Sequence, residues 1–451
     1  MPETVVEKRV GEDEESIRRE ASRCLQCDDP TCIEACPLRL NIKRYVLEAG
    51  EGRFRAGLET ILKQLPFPAT CGRVCPHPCE DACILYDSIP IRKIKKFLAD
   101  QFMDIDWYPG VEARREEKIA VVGSGPAGLT AARNLRLQGY QVTVFDSSPS
   151  SGGMLAQSIP DYRLPTQFPR KEVEEINKLG VKFEQGTLGK DLSLDSFFNE
   201  GFKAILIGIG THGGMKMNIP GEDLKGIFEA LDLLKNIKLN KSLPSFEGKR
   251  VIVVGGGNVA MDAARSCHRL GADVTLVYRR SWNEMPADRD EIEGAKEEGV
   301  NFNILTNPTR ILGKGRVTEV ELIRMELGAP DDSGRRRPVP IKGSEFTIPA
   351  DFVIEAVGEV AESDALRQTG LDLSPGGLIK VNDNMMTSIE GVFAAGDVVS
   401  GPRTIIEAVA GGAKAAESIG VYLRQAKAAA VARVAPAIPA MERSARGKGT
   451  D

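Results

Sequence analysis

Eight of the nine cysteines in this chain lie between positions 24 and 83, in two groups. The first is Cys24, Cys27, Cys32 and Cys36, followed by Pro37. The second is Cys71, Cys75, Cys79 and Cys83, with Pro76 after Cys75. Soft thiolates in sets of four, with a proline next to a ligand, suit iron–sulfur clusters. Two [4Fe–4S] clusters held by these eight residues are therefore expected. Zinc is an alternative, although its cysteine pairs usually stand further apart along the chain. Disulfides are a third. The N-terminus carries no basic flank followed by an apolar stretch, so no secretory signal is read there and a reducing, cytoplasmic location is expected.

A second chemistry is written in glycine. Gly123-Ser124-Gly125-Pro126-Ala127-Gly128 follows an apolar strand and opens a helix, so backbone N–H groups at the helix start face a pyrophosphate. Asp146 ends the next strand, where an acid accepts a ribose 2′-hydroxyl. Gly153 supplies a further turn close to phosphate. The same order returns in Gly255-Gly256-Gly257-Asn258-Val259-Ala260, and here the following strand ends in Arg279 and Arg280 instead of an acid. Arginines at that point can pair with the 2′-phosphate of NADP, so NADPH is preferred and NADH stays open. A third pattern, Gly396-Asp397 at a strand end with Arg403, Thr404 and Ile405 starting a helix, completes the set. His212 and His268 have no ligand-spaced mates, and Cys267 reads as core packing. No catalytic side chain is singled out.

The elements that must position these residues follow from periodicity. Residues 1–112 read as an α-helical domain holding the two clusters. Residues 117–213 and 346–425 read as two parts of one Rossmann-like domain, and 214–345 as a second, NAD(P)-binding one. The fold class is α/β, two dinucleotide-binding domains after a helical one. Residues 426–451, Ala-rich with scattered charge, are expected to form a mobile tail. Asp331–Pro340 reads as a polar hairpin tip, and Arg92, Lys93, Lys95 and Lys96 as a solvated helix face. His77, between two prolines, reads as a rigid spacer. Lysine plus arginine total 59 against 64 acids, a net charge of −5 that gives no general attraction to nucleic acid. No apolar run approaches a membrane span.

The cysteine pattern, Cys24-Leu-Gln-Cys27 through Cys83, resembles the N-terminal module of the glutamate synthase small-subunit family, shared with dihydropyrimidine dehydrogenase. That resemblance implies interleaved sites: Cys24, Cys27, Cys32 and Cys83 around one cluster, Cys36, Cys75 and Cys79 in the other. The family's downstream Glu or Gln ligand falls on Lys95, which cannot ligate, and Cys71 is the expected replacement. Gly396-Asp397 resembles the second flavin motif of two-dinucleotide-domain flavoproteins, which implies FAD in the first nucleotide site. Relatives with the Tyr278-Arg279-Arg280 pattern include NADH users. The implied function is an NAD(P)H oxidoreductase acting as electron-transfer subunit for a separate redox partner. The alternatives are a genuine glutamate synthase small subunit, or a docking subunit with vestigial nucleotide sites.

Overall fold

The computed structural model describes residues 13–108, 111, 114–331, 334–361 and 366–434. The N-terminal part is helical: α1 (Glu14–Ser22), α2 (Thr31–Ala35), α3 (Ile42–Gly50), α4 (Phe54–Leu62), α5 (Pro68–Val74), α6 (Pro78–Asp81) and α7 (Ile91–Asp100). Side chains set the starts. The Asp13 carboxylate accepts from the Ser16 amide at α1, and the Asn41 side chain from the Arg44 amide at α3. Pro68 and Pro78 open α5 and α6, where a missing N–H leaves no bond unmade. Helices α2 and α5 stop at Cys36 and Cys75, both extended. A proline follows each and disfavours helical backbone in the residue before it. Leu58, Ile61, Phe67, Ile94 and Leu98 are fully buried between these helices, each contributing about 1.5–3 kcal/mol.

From Lys118 the chain alternates strand and helix. The first run is β1 (Lys118–Val122), α8 (Pro126–Leu137), β2 (Gln141–Asp146), α9 (Met154–Gln157), α10 (Gln167–Lys178), β3 (Lys182–Gln185), α11 (Leu194–Asn199) and β4 (Phe202–Ile207). Next come β5 (Gly213–Gly214), β6 (Ile227–Glu229), α12 (Ala230–Lys238), β7 (Arg250–Val254), α13 (Asn258–Arg269), β8 (Asp273–Tyr278), α14 (Arg289–Glu297) and β9 (Asn301–Ile304). Then follow β10 (Thr306–Gly313), β11 (Val317–Pro330), β12 (Arg336–Pro340), β13 (Phe346–Pro349), β14 (Phe352–Glu355), β15 (Glu359–Val360) and β16 (Val392–Ala394). The chain closes with α15 (Asp397–Ser400) and α16 (Ile405–Val434).

Two five-stranded parallel sheets result, in the orders β16-β4-β1-β2-β3 and β6-β14-β7-β8-β9. Both are doubly covered, which is why β1 and β7 each run as one exposed residue and four buried ones. Strands β10 to β13 form a separate antiparallel sheet. The chain leaves the first sheet after Ile207 and returns to it at Val392. Both crossings run side by side, because β5 pairs antiparallel with β15. No helix among the described residues is long and apolar enough to cross a membrane.

Two expected boundaries shift. Phe346–Pro349 pairs with β11, and Phe352–Glu355 enters between β6 and β7, so these residues belong to the second sheet rather than to the first domain's returning part. All four residues of β14 are buried, as a central parallel strand requires. The last helix continues through the expected start of the tail to Val434, because its alanines favour helix. The remainder of that expected tail, 435–451, lies outside the described residues.

Polar bonds tie the units together. Arg133 of α8 donates to the carbonyls of Leu62 and Lys63. Glu172 of α10, buried enough to push it up to about 8, accepts from the Thr70 amide at 3.0 Å and from the Thr70 hydroxyl. Between the two sheet units, Arg163 pairs with Asp262 at 2.6 Å and with Glu291 at 2.8 Å, and Lys238 pairs with Asp161 at 2.5 Å. An ideal Cβ on Gly412 would stand 2.1 Å from the Ala127 carbonyl oxygen, so α16 and α8 touch backbone to backbone.

Candidate functional site

A cleft of about 1160 Å³ opens where the two parallel sheets present their carboxyl ends. Gly123, Gly125, Pro126, Ala127, Asp146 and Gly153 line one side with Gly396, Asp397, Arg403, Thr404 and Ile405; Gly257, Asn258 and Val259 line the other. Gly123 turns at φ +107°, and a Cβ there would meet the Gly208 carbonyl oxygen at 2.3 Å. Gly125 and Gly257 cap α8 and α13, with open space where a side chain would stand. Each cap leaves the positive end of a 12-residue helix facing the cleft, a place for a pyrophosphate. Gly128, Gly255 and Ala260 stand behind these turns and do not line it.

Asp146 is expected at a ribose hydroxyl, and Asp397 at the ribityl or phosphate region of a flavin. The Asp146 carboxylate accepts from the Ser124 amide and hydroxyl, both at 2.6 Å, and from the Ser148 amide at 2.8 Å, which fixes it beside the first glycine turn. Asp397 Oδ1 is buried without a partner among the described residues. Burial, with the charge of Glu359 adding, pushes Asp397 up to about 7. An orphaned acceptor at the cleft wall fits a hydroxyl-bearing ligand such as the ribityl chain of a flavin.

The arginines at the end of β8 separate. Arg280 is buried, pairing with Asp331 at 2.6 Å and donating to the Arg336 carbonyl at 2.8 Å. It braces the β11–β12 turn, a correction to its expected place at a nucleotide phosphate. Arg279 is exposed and lies off the cleft wall, while Arg335, unnoticed as a site residue, lines the cleft. Loss of hydration and the charges of Arg280 and Arg335 hold Arg279 below its ordinary pKa, a concentration of positive charge suited to an anion. Glu229, Glu355 and Glu359 also line the cleft, and burial raises all three, Glu355 to about 7 with Glu222 adding. Strand-end glutamates carry no motif, so nothing in the sequence marks them.

All nine cysteines are free. Cys24, Cys27, Cys32 and Cys83 line one small cavity, half-buried. Cys36, Cys75 and Cys79 line another with Lys95. Cys71, fully buried, stands near Cys75, Cys36 and Lys95 without lining that cavity. Lys95 is 4 % exposed, so it departs from the solvated face expected of its run; burial opposes its charge, and the surrounding cysteine sulfurs favour it. Burial pushes Cys79 up to about 12, Lys95 opposing, so binding a metal here would release protons. Among the described residues no three cysteine sulfurs lie within 4.8 Å of one another. Tetrahedral zinc with bonds of ~2.3 Å would hold sulfurs about 3.8 Å apart. Neither cysteine set is drawn together to that spacing. His77, at φ +44°, approaches Asp288 and Asp290, but the Arg92 guanidinium pairs with both acids and already supplies the cation. Cys267 is buried in the core of the second sheet unit.

The three sites adjoin. Val74, Pro76 and Ile405 line the large cleft; Cys75 and Ile406, their chain neighbours, line the second cysteine cavity; Ile42 lines both cysteine cavities.

Residues 117–412 match the pyridine nucleotide-disulphide oxidoreductase family, and residues 3–107 match dihydropyrimidine dehydrogenase domain II, 4Fe-4S cluster. The chain is 41% identical over 426 residues to the NADP(+)-dependent formate dehydrogenase subunit beta of Moorella thermoacetica, covering 87% of this chain and 60% of that one. It is 37% identical to the NADPH-Fe(3+) oxidoreductase subunit beta of Geobacter sulfurreducens, covering 88% and 64%. It therefore spans less than two thirds of the length of either relative. To the glutamate synthase [NADPH] small chain of Escherichia coli it is 35% identical, covering 90% and 91%. Among solved structures, Mycobacterium tuberculosis FprA in complex with NADPH superposes with a TM-score of 0.60 at 22% identity, covering 70% of this chain and 86% of that one, a likeness of fold.

Proposed function

Because the chain belongs to the pyridine nucleotide-disulphide oxidoreductase family, in the branch that includes glutamate synthase small chains, we propose that it is the electron-transfer subunit of a larger cytoplasmic redox complex, using NAD(P)H. The observation that carries this reading is the adjacency of the nucleotide cleft and the two cysteine cavities, through Val74, Pro76, Ile405, Ile406 and Ile42. FAD, when bound, exchanges a hydride with nicotinamide and single electrons with iron–sulfur clusters, a conversion neither of those makes. The protein's part is to bind and orient. The start of α8 at Gly125 would hold the flavin pyrophosphate, Asp146 its ribose and Asp397 its ribityl chain, with Arg403, Thr404 and Ile405 at the start of the last helix. Gly257, Asn258 and Val259 would hold the nicotinamide dinucleotide, with Arg279 and Arg335 at its 2′-phosphate. In this reading residues 1–112, of which 13–108 and 111 are described, would be the cluster-holding part, and the nicotinamide part would run to the β5–β15 ribbon.

Anaerobic addition of NADPH is expected to bleach flavin absorbance and then support reduction of an artificial dye. An unchanged spectrum with a full complement of FAD would defeat the reading. Arg279→Ala and Arg335→Ala are each expected to raise KM for NADPH about tenfold, a loss of about 1.4 kcal/mol, with little change for NADH. Equal effects on both coenzymes would remove these residues from the 2′-phosphate site.

For the cluster ligands, the proposal is Cys24, Cys27, Cys32 and Cys83 in one set and Cys36, Cys71, Cys75 and Cys79 in the other. Lys95 balances the negative charge of the second set and ligates nothing. Cys71→Ala should therefore lose or alter one reduced-cluster EPR signal, whereas Lys95→Met should keep both signals and shift one midpoint potential. Two unaltered signals in Cys71→Ala would exclude it as a ligand.

A further inference from the structure

The two cysteine sites meet solvent differently. Cys36, Cys71, Cys75 and Cys79 are buried, whereas Cys24, Cys27, Cys32 and Cys83 are half-exposed. At the mouth of the exposed site Leu25 and Ile84 are 62% and 64% exposed, and Tyr86, two residues on from Ile84, is fully exposed. Exposed apolar side chains grouped around one cavity are unusual on a water-facing surface. The segments carrying this site, 24–35 and 80–88, contain no Lys or Arg, while Asp28, Asp29, Glu34, Asp81 and Asp87 are all exposed on them. Two neighbouring basic groups are engaged: Arg23 pairs with Asp87 and Glu20, and Lys43 donates to the Cys27 carbonyl. The result is an apolar centre within an acidic rim, over the cysteine site furthest from the nucleotide cleft.

We propose that this face, centred on Leu25, Ile84 and Tyr86, docks a separate redox protein whose contact surface sets an apolar centre inside a basic rim. The inference rests on the functional reading above and identifies where its partner binds. Charge complementarity selects this occupant: an acidic partner, or a second copy presenting the same acidic face, would bring like charges together as the apolar centres met. Apolar contact supplies the centre of such an interface and the rim sets orientation and association rate.

The test uses oxidised mitochondrial cytochrome c, a small basic redox protein, as probe, and needs no nicotinamide. Calorimetric titration into anaerobically prepared holo-protein should give a Kd that rises steeply with salt. It should weaken at least tenfold in the Asp28→Lys/Asp29→Lys double variant and at least threefold in Tyr86→Ala. The Asp195→Lys/Glu200→Lys pair, exposed on α11 and just after it, should bind as the wild type does. Iron content and EPR of each variant report that the clusters are in place. Hydrogen exchange on adding the probe should slow in 24–35 and 80–88. Equal weakening by both charge-reversed pairs, protection elsewhere, or a stable dimer that covers Tyr86 would overturn the proposal. If NADPH leaves the clusters oxidised while this binding map holds, the functional reading fails and the docking face stands.

Discussion

Anaerobic purification is expected to yield about eight irons, as many acid-labile sulfides, and one FAD per chain, from four irons for each set of four ligands. The iron follows from two groups of four free cysteines, seven of which line two small cavities, in a segment that matches a 4Fe-4S domain. The flavin follows from Gly125 and Gly396 lining one side of the cleft, beside an Asp397 oxygen that has no partner among the described residues. Metal analysis and release of the flavin into acid check both. Stoichiometric zinc with negligible sulfide would end the iron–sulfur assignment. Cys75→Ala should remove or convert one cluster and lower iron towards four, because Cys75 belongs to the second set alone.

Replacing Arg163 should have the largest effect on stability of any change outside the metal sites. Its guanidinium, 9% exposed, joins α10's approach to α13 through Asp262 and to α14 through Glu291. Burial pushes Asp262 up to about 6 against the pull of Arg163. Arg163→Ala would strand that carboxylate, and removing one partner of a buried pair costs about 3–5 kcal/mol. Denaturant unfolding of the FAD-loaded protein is the measurement. The pH dependence has a definite sign. With a raised folded pKa, Asp262 contributes most to stability below its unfolded value near 4, and that contribution is lost as pH rises through about 6. Without Arg163 the folded pKa rises further, so the variant should lose more stability at pH 8 than at pH 5. A loss below about 1 kcal/mol would mean that the Arg163 ion pairs contribute little to holding the two sheet units together.

Much of this was legible in the chain. The glycine turns at Gly123 and Gly255, and the apolar runs before them, dictate strand, turn and helix locally, so both Rossmann-like units could be read. The same holds for the cysteine groups, where proline stops the helices. Lys95 was misread as solvated although it lies between Ile91, Ile94 and Leu98 at helical spacing, on the face of α7 that is buried. Charge outweighed periodicity in that reading. Tertiary placement decided the rest. Nothing local tells that Arg279 is exposed and Arg280 buried, or that Arg335, from a distant hairpin, reaches the nucleotide cleft. The role of β14 was missed because four apolar-rich residues can extend either sheet, and only the pairing with β6 and β7 selects one.

The side-by-side crossing of β5 and β15 bears on how the chain comes to fold. Strand β16 must find β4 across an inserted unit, a long-range pairing that is slow when the intervening chain is loose. Once that unit has folded, Gly213–Gly214 and Glu359–Val360 are neighbours, and the effective loop is reduced to the width of a two-stranded ribbon. The entropy of closing it falls accordingly. The insert should therefore become protected first in pulse-labelling during refolding, with the first sheet completed late, by its outermost strand.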